Sequence, residues 1–247
     1  MPPPPGFLDR GFLLERDEAA TEQMDDPDCD VEVLERTYAR FRLINAVVSN
    51  QRAVYRRWVR PCLSPTQTRR VLDIGTGGAD LPRALLRWAR ADGLRLEVTA
   101  IDPDPRALDW AMRQAAEPGL VLRRVSSSEL ADAGERFDVV TSNHVLHHLE
   151  GREFGALLAD SERLASDGGI AVHGDIERTR LGYVGFALGT LPFERNVFAG
   201  SYIRADGLTS IRRSHTAAEL AAALPPGWRV RRGIPSRLEV IWGDADA

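Results

Sequence analysis

The chain has 247 residues, of which 43% are hydrophobic and 28% charged, an ordinary balance for a globular protein and enough for one full core. Its 36 acidic residues outnumber its 32 basic ones, so the net charge is −4. The basic residues are all arginines, and they occur as scattered doublets without the basic stripe that a nucleic-acid backbone requires. Composition therefore predicts one domain with additions and argues against nucleic acid as a partner.

Cysteine content and hydropathy indicate the compartment. Cys29 and Cys62 are the only cysteines, too few for a disulfide framework and without the spacing of a metal site. The chain begins with a proline run instead of a basic and then apolar leader, and no later apolar run reaches the roughly 18 residues that span a bilayer. We therefore expect a cytoplasmic protein with no membrane span.

Two segments precede the first predicted strand. Residues 1–30 combine the proline run with an acidic, proline-interrupted stretch, which predicts a flexible N-terminal arm. Between residues 31 and 60, apolar and aromatic side chains recur at helical spacing, and Pro61 ends the pattern. Residues 31–62 are thus predicted to form a helical cap, and its aromatic stripe is the buried face of a helix, the wall of a pocket, or both.

Strands and helices are predicted to alternate between residues 70 and 175. The helix signals include Asp80 as an N-cap with Pro82 in its first turn, and a second helix that begins at Asp104 and ends near Glu117. Parallel strands need crossover helices, so the alternation predicts an α/β fold with a mostly parallel sheet that binds ligands at the carboxyl ends of its strands. The predicted strands cover residues 70–74, 94–101, 120–125, 137–142 and 169–175.

The last part of the chain follows a different pattern. Residues 176–203 form an apolar insertion with several aromatic side chains, which we interpret as a lid over an acceptor pocket. Within residues 204–247, strand-like runs at 228–232 and 237–242 predict an antiparallel hairpin at the edge of the sheet. We expect residues 31–247 to form a single domain.

The strongest chemical signal is the loop after the first predicted strand, which contains Asp73, Gly75, Thr76, Gly77 and Asp80. Glycine has no Cβ atom, so the turn can be tight and the backbone can approach a ligand closely. The two carboxylates would repel a dinucleotide diphosphate and attract a cation. For the glycine loop taken with Asp73 and Asp102, the alternative interpretation is an ordinary α/β turn with two surface acids.

This loop resembles the first motif of the class I S-adenosylmethionine-dependent methyltransferases, and the resemblance covers residues 70–175. It implies a Rossmann-like fold and S-adenosylmethionine as the cofactor, a cationic nucleoside without phosphate. It also implies that Asp73 holds the methionine amino group, usually through a water molecule, and that Gly75 and Gly77 pass beneath the cofactor. Ala79 departs from the pattern, because the family often has a third glycine there.

The resemblance continues at the ends of the next two strands. Asp102 ends the second predicted strand, where a carboxylate can accept hydrogen bonds from both ribose hydroxyls, as it does in the family. Ser126 and Ser127 follow the third strand, where the family places polar groups around the adenine edge. The cofactor-binding residues implied by the resemblance are Asp73, Gly75, Thr76, Gly77, Asp80, Asp102, Pro103, Ser126, Ser127 and Asn143.

A histidine-rich segment follows the fourth predicted strand. The resemblance implies that Asn143 and His144 face the methionine part of the cofactor and the acceptor, and that His147 or His148 lies near the sulfonium. A phenol has a pKa near 10, so a base helps a phenolic acceptor, and His144 is the first catalytic candidate and His147 the second. Alternatively, His144 only caps the strand while His147 and His148 pack on a short helix. The histidines would also suit a metal, but we expect none because no cysteine is near and the resemblance explains the segment.

Together these features predict S-adenosylmethionine-dependent methyl transfer to a small, largely apolar acceptor. A narrower similarity to bacterial methyltransferases of phenolic or polyketide metabolism favours a hydroxyl acceptor, and therefore O-methylation. The alternatives are C-methylation of a quinone or enol, a non-catalytic S-adenosylmethionine-binding protein, and a nicotinamide-dependent oxidoreductase. Asp73 beside the glycines and the absence of any lysine for a Tyr-x-x-x-Lys pair argue against the oxidoreductase.

Overall fold

Seven strands form one mixed sheet in the computed structural model, which describes residues 11–244. The sheet order is β3-β2-β1-β4-β5-β7-β6. Strands β1 to β5 pair in parallel, whereas β7 is antiparallel to both β5 and β6. The predicted Rossmann-like sheet and its C-terminal hairpin are confirmed. The strands are β1 (Arg69–Ile74), β2 (Leu96–Ile101), β3 (Leu120–Arg123), β4 (Phe137–Asn143), β5 (Ala165–Ile176), β6 (Trp228–Gly233) and β7 (Arg237–Trp242).

Helices connect the parallel strands and extend the fold at both ends. Short 3-10 turns occur at Gln23–Asp25, Leu146–His148 and Leu191–Phe193, and α2 continues into a π-helical turn at Tyr55–Val59. The helices are α1 (Val31–Val48), α2 (Gln51–Val54), α3 (Asp80–Ala91), α4 (Pro105–Arg113), α5 (Ser127–Asp132), α6 (Gly151–Leu164), α7 (Arg180–Thr190), α8 (Ile203–Arg213) and α9 (Ala217–Ala223).

Each face of the sheet carries its own hydrophobic core. Along β1, Val71 points into a core with Tyr55 and Leu85, while its neighbour Leu72 points into the opposite core with Leu158. All of these side chains are at most 1% exposed. Burying such a side chain fully contributes about 1.5–3 kcal/mol, so the covered faces hold the strand ends in place.

The start of α3 differs from the sequence prediction. Asp80 was predicted as the N-cap, but the N-cap is Ala79, whose φ is +59°, and Asp80 is the first helical residue. The chain therefore turns through a left-handed conformation at Ala79, where glycine has no steric penalty. This geometry explains why a third glycine suits the position. The Asp80 carboxylate accepts hydrogen bonds from the side-chain amides of Asn45 on α1 and Gln51 on α2.

The serine cluster that follows β3 lies at the start of a helix that was not predicted. Ser126 is the N-cap of α5, and its hydroxyl and backbone amide form a capping box with Glu129. The serine-x-x-glutamate spacing was visible in the sequence, but the helix is only six residues long and has little periodicity to reveal it. The helix α4 is likewise shorter than predicted, since it ends at Arg113.

The N-terminal segment contributes to the packed structure from residue 11 onward. Glu22 is only 5% exposed, and Asp17 donates its backbone amide to the carbonyl of Arg212. Residues 1–10, the rest of the arm predicted as flexible, lie outside the described residues. Across residues 11–244, no helix combines the length and apolar character needed to cross a bilayer.

Candidate active site

A cavity of about 760 Å³ opens at the carboxyl ends of the parallel strands. Its position agrees with the rule that open α/β sheets bind ligands at this edge. The structure brings together there every site residue predicted from the sequence, namely Asp73, Gly75, Thr76, Gly77, Asp80, Asp102, Pro103, Ser126, Ser127, Asn143, His144 and His147.

The glycine loop forms the floor of the cavity and needs its glycines. Gly75 has a φ of +66°, and a Cβ atom there would lie 2.6 Å from Cγ2 of Val145. Gly77 has a φ of +53°, and its backbone amide donates to Oδ2 of Asp102 at 2.8 Å. The Asp102 carboxylate, which follows β2, therefore holds the loop that follows β1 against the end of β2.

Three buried carboxylates line this part of the cavity. Asp73, Asp80 and Asp102 all have a raised pKa, chiefly because burial disfavours their charged forms. The pKa of Asp73 rises to about 8, and the charges of Asp80 and Asp102 add to the effect of burial. Hydrogen bonds from the side-chain amides of Asn45 and Gln51, at 3.1 and 3.4 Å, partly offset the effect of burial on the pKa of Asp80.

The acidic group fits a cationic ligand. Oδ1 of Asp73 is buried and finds no hydrogen-bond partner among the described residues. Within residues 11–244, no arginine or histidine forms an ion pair with any of the three carboxylates. Buried charges in proteins are ordinarily paired, so a positively charged ligand group would be the cationic partner that these carboxylates lack. S-adenosylmethionine carries an ammonium and a sulfonium and no phosphate, so its charges complement these carboxylates.

His147 lies between two carboxylates beside this group. Its Nδ1 is 2.8 Å from Oδ1 of Asp175, its backbone amide donates to Oδ2 of the same residue, and its Nε2 is 3.2 Å from Oε1 of Glu22. Burial acts to lower the pKa of His147, but the two carboxylates outweigh it and raise the pKa to about 10. At neutral pH, the three groups therefore form a carboxylate–imidazolium–carboxylate chain.

His144 has a different environment. Its Nε2 accepts a hydrogen bond from Nη1 of Arg237 at 3.2 Å and lies 2.6 Å from Oγ of Ser49, while its Nδ1 is 3.8 Å from Asp175. Burial and the adjacent Arg237 charge hold the pKa of His144 well below its usual value. The ring is therefore neutral, and its backbone φ of +61° marks the sharp turn at the end of β4.

Glu22 and Asp175 were missed by the sequence analysis. Asp175 is near the carboxyl end of β5, so the rule that placed Asp102 could have identified it. Glu22 lies 125 positions from His147 in a segment predicted as loose, and no sequence signal connects the two. The carboxylate of Asp206 holds this segment in place, because it accepts hydrogen bonds from the amides of Gln23 and Met24 at 2.8 and 3.0 Å.

The other half of the cavity is apolar. Side chains of α1 and of the segment after β5 form its walls, and a Cβ atom on Gly207 would lie 2.4 Å from the ring of Phe186. The aromatic stripe of α1 thus serves both core and cavity, since Tyr38 is buried while it also lines the cavity. The main apolar lining residues are Tyr38, Phe41, Ile44, Val48, Phe186 and Ile203.

Two overlapping groups of side chains have the composition of a metal site. One comprises Glu22, His147 and His148, and the other His144, His147 and Asp175, with the ligand atoms of each group within 4.8 Å of one another. His147 belongs to both groups and already bonds a carboxylate through each nitrogen. The absence of a metal remains a prediction from the sequence.

Comparisons with known proteins agree with this geometry. A family model described as a methyltransferase domain matches residues 47–222. The ubiquinone biosynthesis O-methyltransferase of Azorhizobium caulinodans is 34% identical over 119 residues, which are 47% of this chain and 44% of that protein. The chain therefore matches less than half the length of that curated relative.

Two solved structures share the fold. Human N-acetylserotonin methyltransferase in complex with SAM superposes with a TM-score of 0.58 at 12% identity, covering 87% of this chain and 56% of that one. The plantazolicin methyltransferase BpumL in complex with SAH gives a TM-score of 0.51 at 13% identity, covering 86% of this chain and 97% of that one. The family match spans most of the chain, so the protein belongs to the methyltransferase domain family and has the class I, S-adenosylmethionine-dependent fold.

Proposed function

We propose that this protein transfers a methyl group from S-adenosylmethionine to a hydroxyl of a small, largely apolar acceptor, with a phenolic or polyketide hydroxyl as the first choice. The observation that carries the proposal is the cavity at the strand ends. Three buried carboxylates line its glycine-loop side, and its other half is apolar and lies beside His147 and its two carboxylate partners. The first part suits a cationic nucleoside, and the second suits an uncharged ring with one hydroxyl.

The acidic half holds the cofactor in this proposal. Asp102 accepts the ribose hydroxyls, Asp73 pairs with the methionine ammonium, and the bare backbone at Gly75 and Gly77 allows the nucleoside to lie close to the loop. When bound, S-adenosylmethionine supplies an already activated methyl group, and transfer to a hydroxyl leaves one proton to be removed. The protein's remaining tasks are alignment, exclusion of water and disposal of that proton.

The geometry favours His147 over His144 for handling the proton. The lone pair of His144 Nε2 already accepts a hydrogen bond from Nη1 of Arg237, so it is not free to take a proton from the acceptor. In the pair formed by Glu22 and His147, the protonated Nε2 of His147 donates to Oε1 of Glu22, and Asp175 orients the ring through Nδ1. As the acceptor oxygen gains the methyl group and the carbon–sulfur bond breaks, its O–H proton becomes strongly acidic, and the Glu22 carboxylate would take up that proton. His144 then serves as a positioning residue at the end of β4.

The names of the relatives support oxygen as the atom that receives the methyl group. Several curated relatives at about 32–34% identity are named ubiquinone biosynthesis O-methyltransferase. The matched regions cover only about half of each protein, so the nature of the acceptor rests on the cavity as much as on the names.

A methyl-donor assay tests the proposal. The purified protein is incubated with S-adenosylmethionine and panels of phenols, polyketides and quinones, and products are analysed by mass spectrometry and NMR. We expect a product heavier by one methylene, with the new methyl group on oxygen as an ether. A carbon-linked methyl group would instead support C-methylation of an enol or quinone. Cofactor binding without turnover of any acceptor would contradict the proposal and favour a non-catalytic binding protein.

A further inference from the structure

The serines after β3 are already engaged by other residues of the chain. Both the amide and the hydroxyl of Ser126 bond Oε2 of Glu129, at 2.7 and 2.8 Å. The hydroxyls of Ser127 and Ser128 both donate to Oδ2 of Asp160, at 2.7 Å each. The hydroxyl protons of all three serines are therefore already donated within the chain, and those of Ser127 and Ser128 hold the carboxylate of Asp160.

Asp160 belongs to α6, and no sequence motif singled it out. Asp160 is 6% exposed and lines the same cavity as Asp102 and Ser127. The nearest cation is Arg163, whose Nη1 is 3.7 Å from Oδ1, too far for a hydrogen bond. An ionised carboxylate has about four acceptor positions, and the two serine hydroxyls occupy positions on one oxygen only. Among residues 11–244, Oδ1 receives no hydrogen bond.

The sheet order defines what would lie against Asp160. Strand β3 is adjacent to β2, so a nucleoside whose ribose bonds Asp102 at the end of β2 extends its base toward the end of β3. Val125 and Leu157 line the cavity on this side and offer apolar surface to a flat ring. The Asp160 carboxylate can only accept hydrogen bonds, and it lies beside apolar side chains. It therefore suits the edge of a flat ring that carries a hydrogen-bond donor, such as the exocyclic amino group of adenine.

We propose that Asp160 recognises the adenine amino group of the cofactor through Oδ1, with Ser127 and Ser128 holding the carboxylate in place. Asp160 is thus a specificity-determining residue that acts from α6 rather than from the loop after β3. This inference rests on the proposed cofactor site. It does not depend on which acceptor is methylated.

The test compares two ligands that differ at one position. S-adenosylhomocysteine carries an amino group on its base, whereas S-inosylhomocysteine carries a carbonyl oxygen at that position. The amino group can donate a hydrogen bond to the Asp160 carboxylate. The carbonyl oxygen cannot, because it is itself an acceptor. Calorimetric titration of the wild-type protein should show at least tenfold weaker binding of the inosyl ligand. In Asp160→Asn, whose amide can both donate and accept, the preference should shrink at least threefold. The matched control is Asp132→Asn. Asp132 is the other carboxylate partner of Arg163 and lies outside the cavity, so this variant should keep the wild-type preference for the adenosyl ligand.

The outcomes separate the two proposals. Equal affinity of the wild-type protein for both ligands would overturn the role of Asp160, and this measurement requires no variant to fold. An unchanged preference in a folded Asp160→Asn protein would overturn it as well. Failure of the wild-type protein to bind either ligand would instead contradict the proposed cofactor site itself.

Discussion

Asp73 is a buried carboxylate whose proton equilibrium should report cofactor binding. Its pKa is raised to about 8, chiefly by burial, so a substantial fraction is protonated at neutral pH. A ligand ammonium favours the ionised form, so binding should release a proton below pH 8, and affinity should increase as the pH rises from 6 to 8. We expect S-adenosylhomocysteine titrations to show at least a threefold gain in affinity over this range.

The variant Asp73→Asn provides the comparison for this prediction. The amide cannot ionise, so its weaker binding should depend less on pH than that of the wild-type protein. Asp109→Asn, at an exposed carboxylate on α4, should behave as the wild type. A wild-type affinity that stays constant or falls between pH 6 and 8 would show that Asp73 does not pair with the ligand.

His147 should contribute stability that depends on pH in a defined direction. Its pKa in the folded protein, about 10, exceeds the ordinary value of 6.5, so its contribution is complete below about pH 6.5 and is lost as the pH rises through about 10. Removing one member of a buried ion pair typically costs about 3–5 kcal/mol. We expect His147→Gln to lower the free energy of urea unfolding by about this amount at pH 6.5, and by clearly less at pH 10.

His148 offers a control for the same experiment, because it is adjacent in sequence and its side chain is 30% exposed. His148→Gln should lower the stability by no more than about 1 kcal/mol, as surface pairs contribute little. If the gap between wild type and His147→Gln widened toward pH 10, the imidazolium would not be the stabilising form. Methyl transfer should also fall more in His147→Gln than in His144→Gln.

At the scale of elements, the turn between β1 and α3 should tolerate no side chain at Gly75. An alanine there would combine an unfavourable left-handed conformation with the 2.6 Å approach to Val145. Gly134 has a similar φ of +71°, but a Cβ atom there would meet no described atom within 4 Å, so Gly134→Ala carries the backbone cost alone. We expect urea unfolding to show Gly75→Ala about 1–3 kcal/mol less stable than Gly134→Ala. Equal losses in the two variants would contradict the crowding at Val145.

The elements also show how far the sequence could predict the structure. Strands β1, β2 and β4 and the hairpin β6–β7 were predicted within a few residues, because apolar runs bounded by turn residues are local signals. Helix α5 was missed because it has six residues, and α8 because no strong apolar stripe distinguishes it. Candidate residues at strand ends could be predicted from order and spacing. Glu22 and Asp160 could not, since their contacts join distant parts of the chain.

At the scale of the whole molecule, the N-terminal segment and α8 should close the cavity together. The buried Asp206 carboxylate accepts the amides of Gln23 and Met24, and Glu22 bonds Ser210 on the same helix. Replacing Asp206 by alanine leaves those amides without acceptors. We expect hydrogen exchange at Gln23 and Met24 to accelerate at least tenfold in Asp206→Ala, and methyl transfer to fall with it.

The ion pair between Asp17 and Arg212 supplies the matched control, since it also joins the segment to α8 but is partly exposed. Asp17→Ala should change exchange at Gln23 and Met24 by less than threefold, because exposed pairs contribute at most about 1 kcal/mol. Rapid exchange of these amides in the wild-type protein would mean that the segment does not form a stable wall of the cavity.

A crystal structure of the protein with S-adenosylhomocysteine tests the central claim most directly. We expect the nucleoside to lie across the carboxyl ends of β1 and β2, with its ribose hydroxyls on the carboxylate of Asp102 and its amino group toward Asp73. The homocysteine sulfur should point toward His147 and the apolar half of the cavity. Electron density for the nucleoside elsewhere, or a ribose that makes no contact with Asp102, would contradict the assignment of this cavity as the methyl-transfer site.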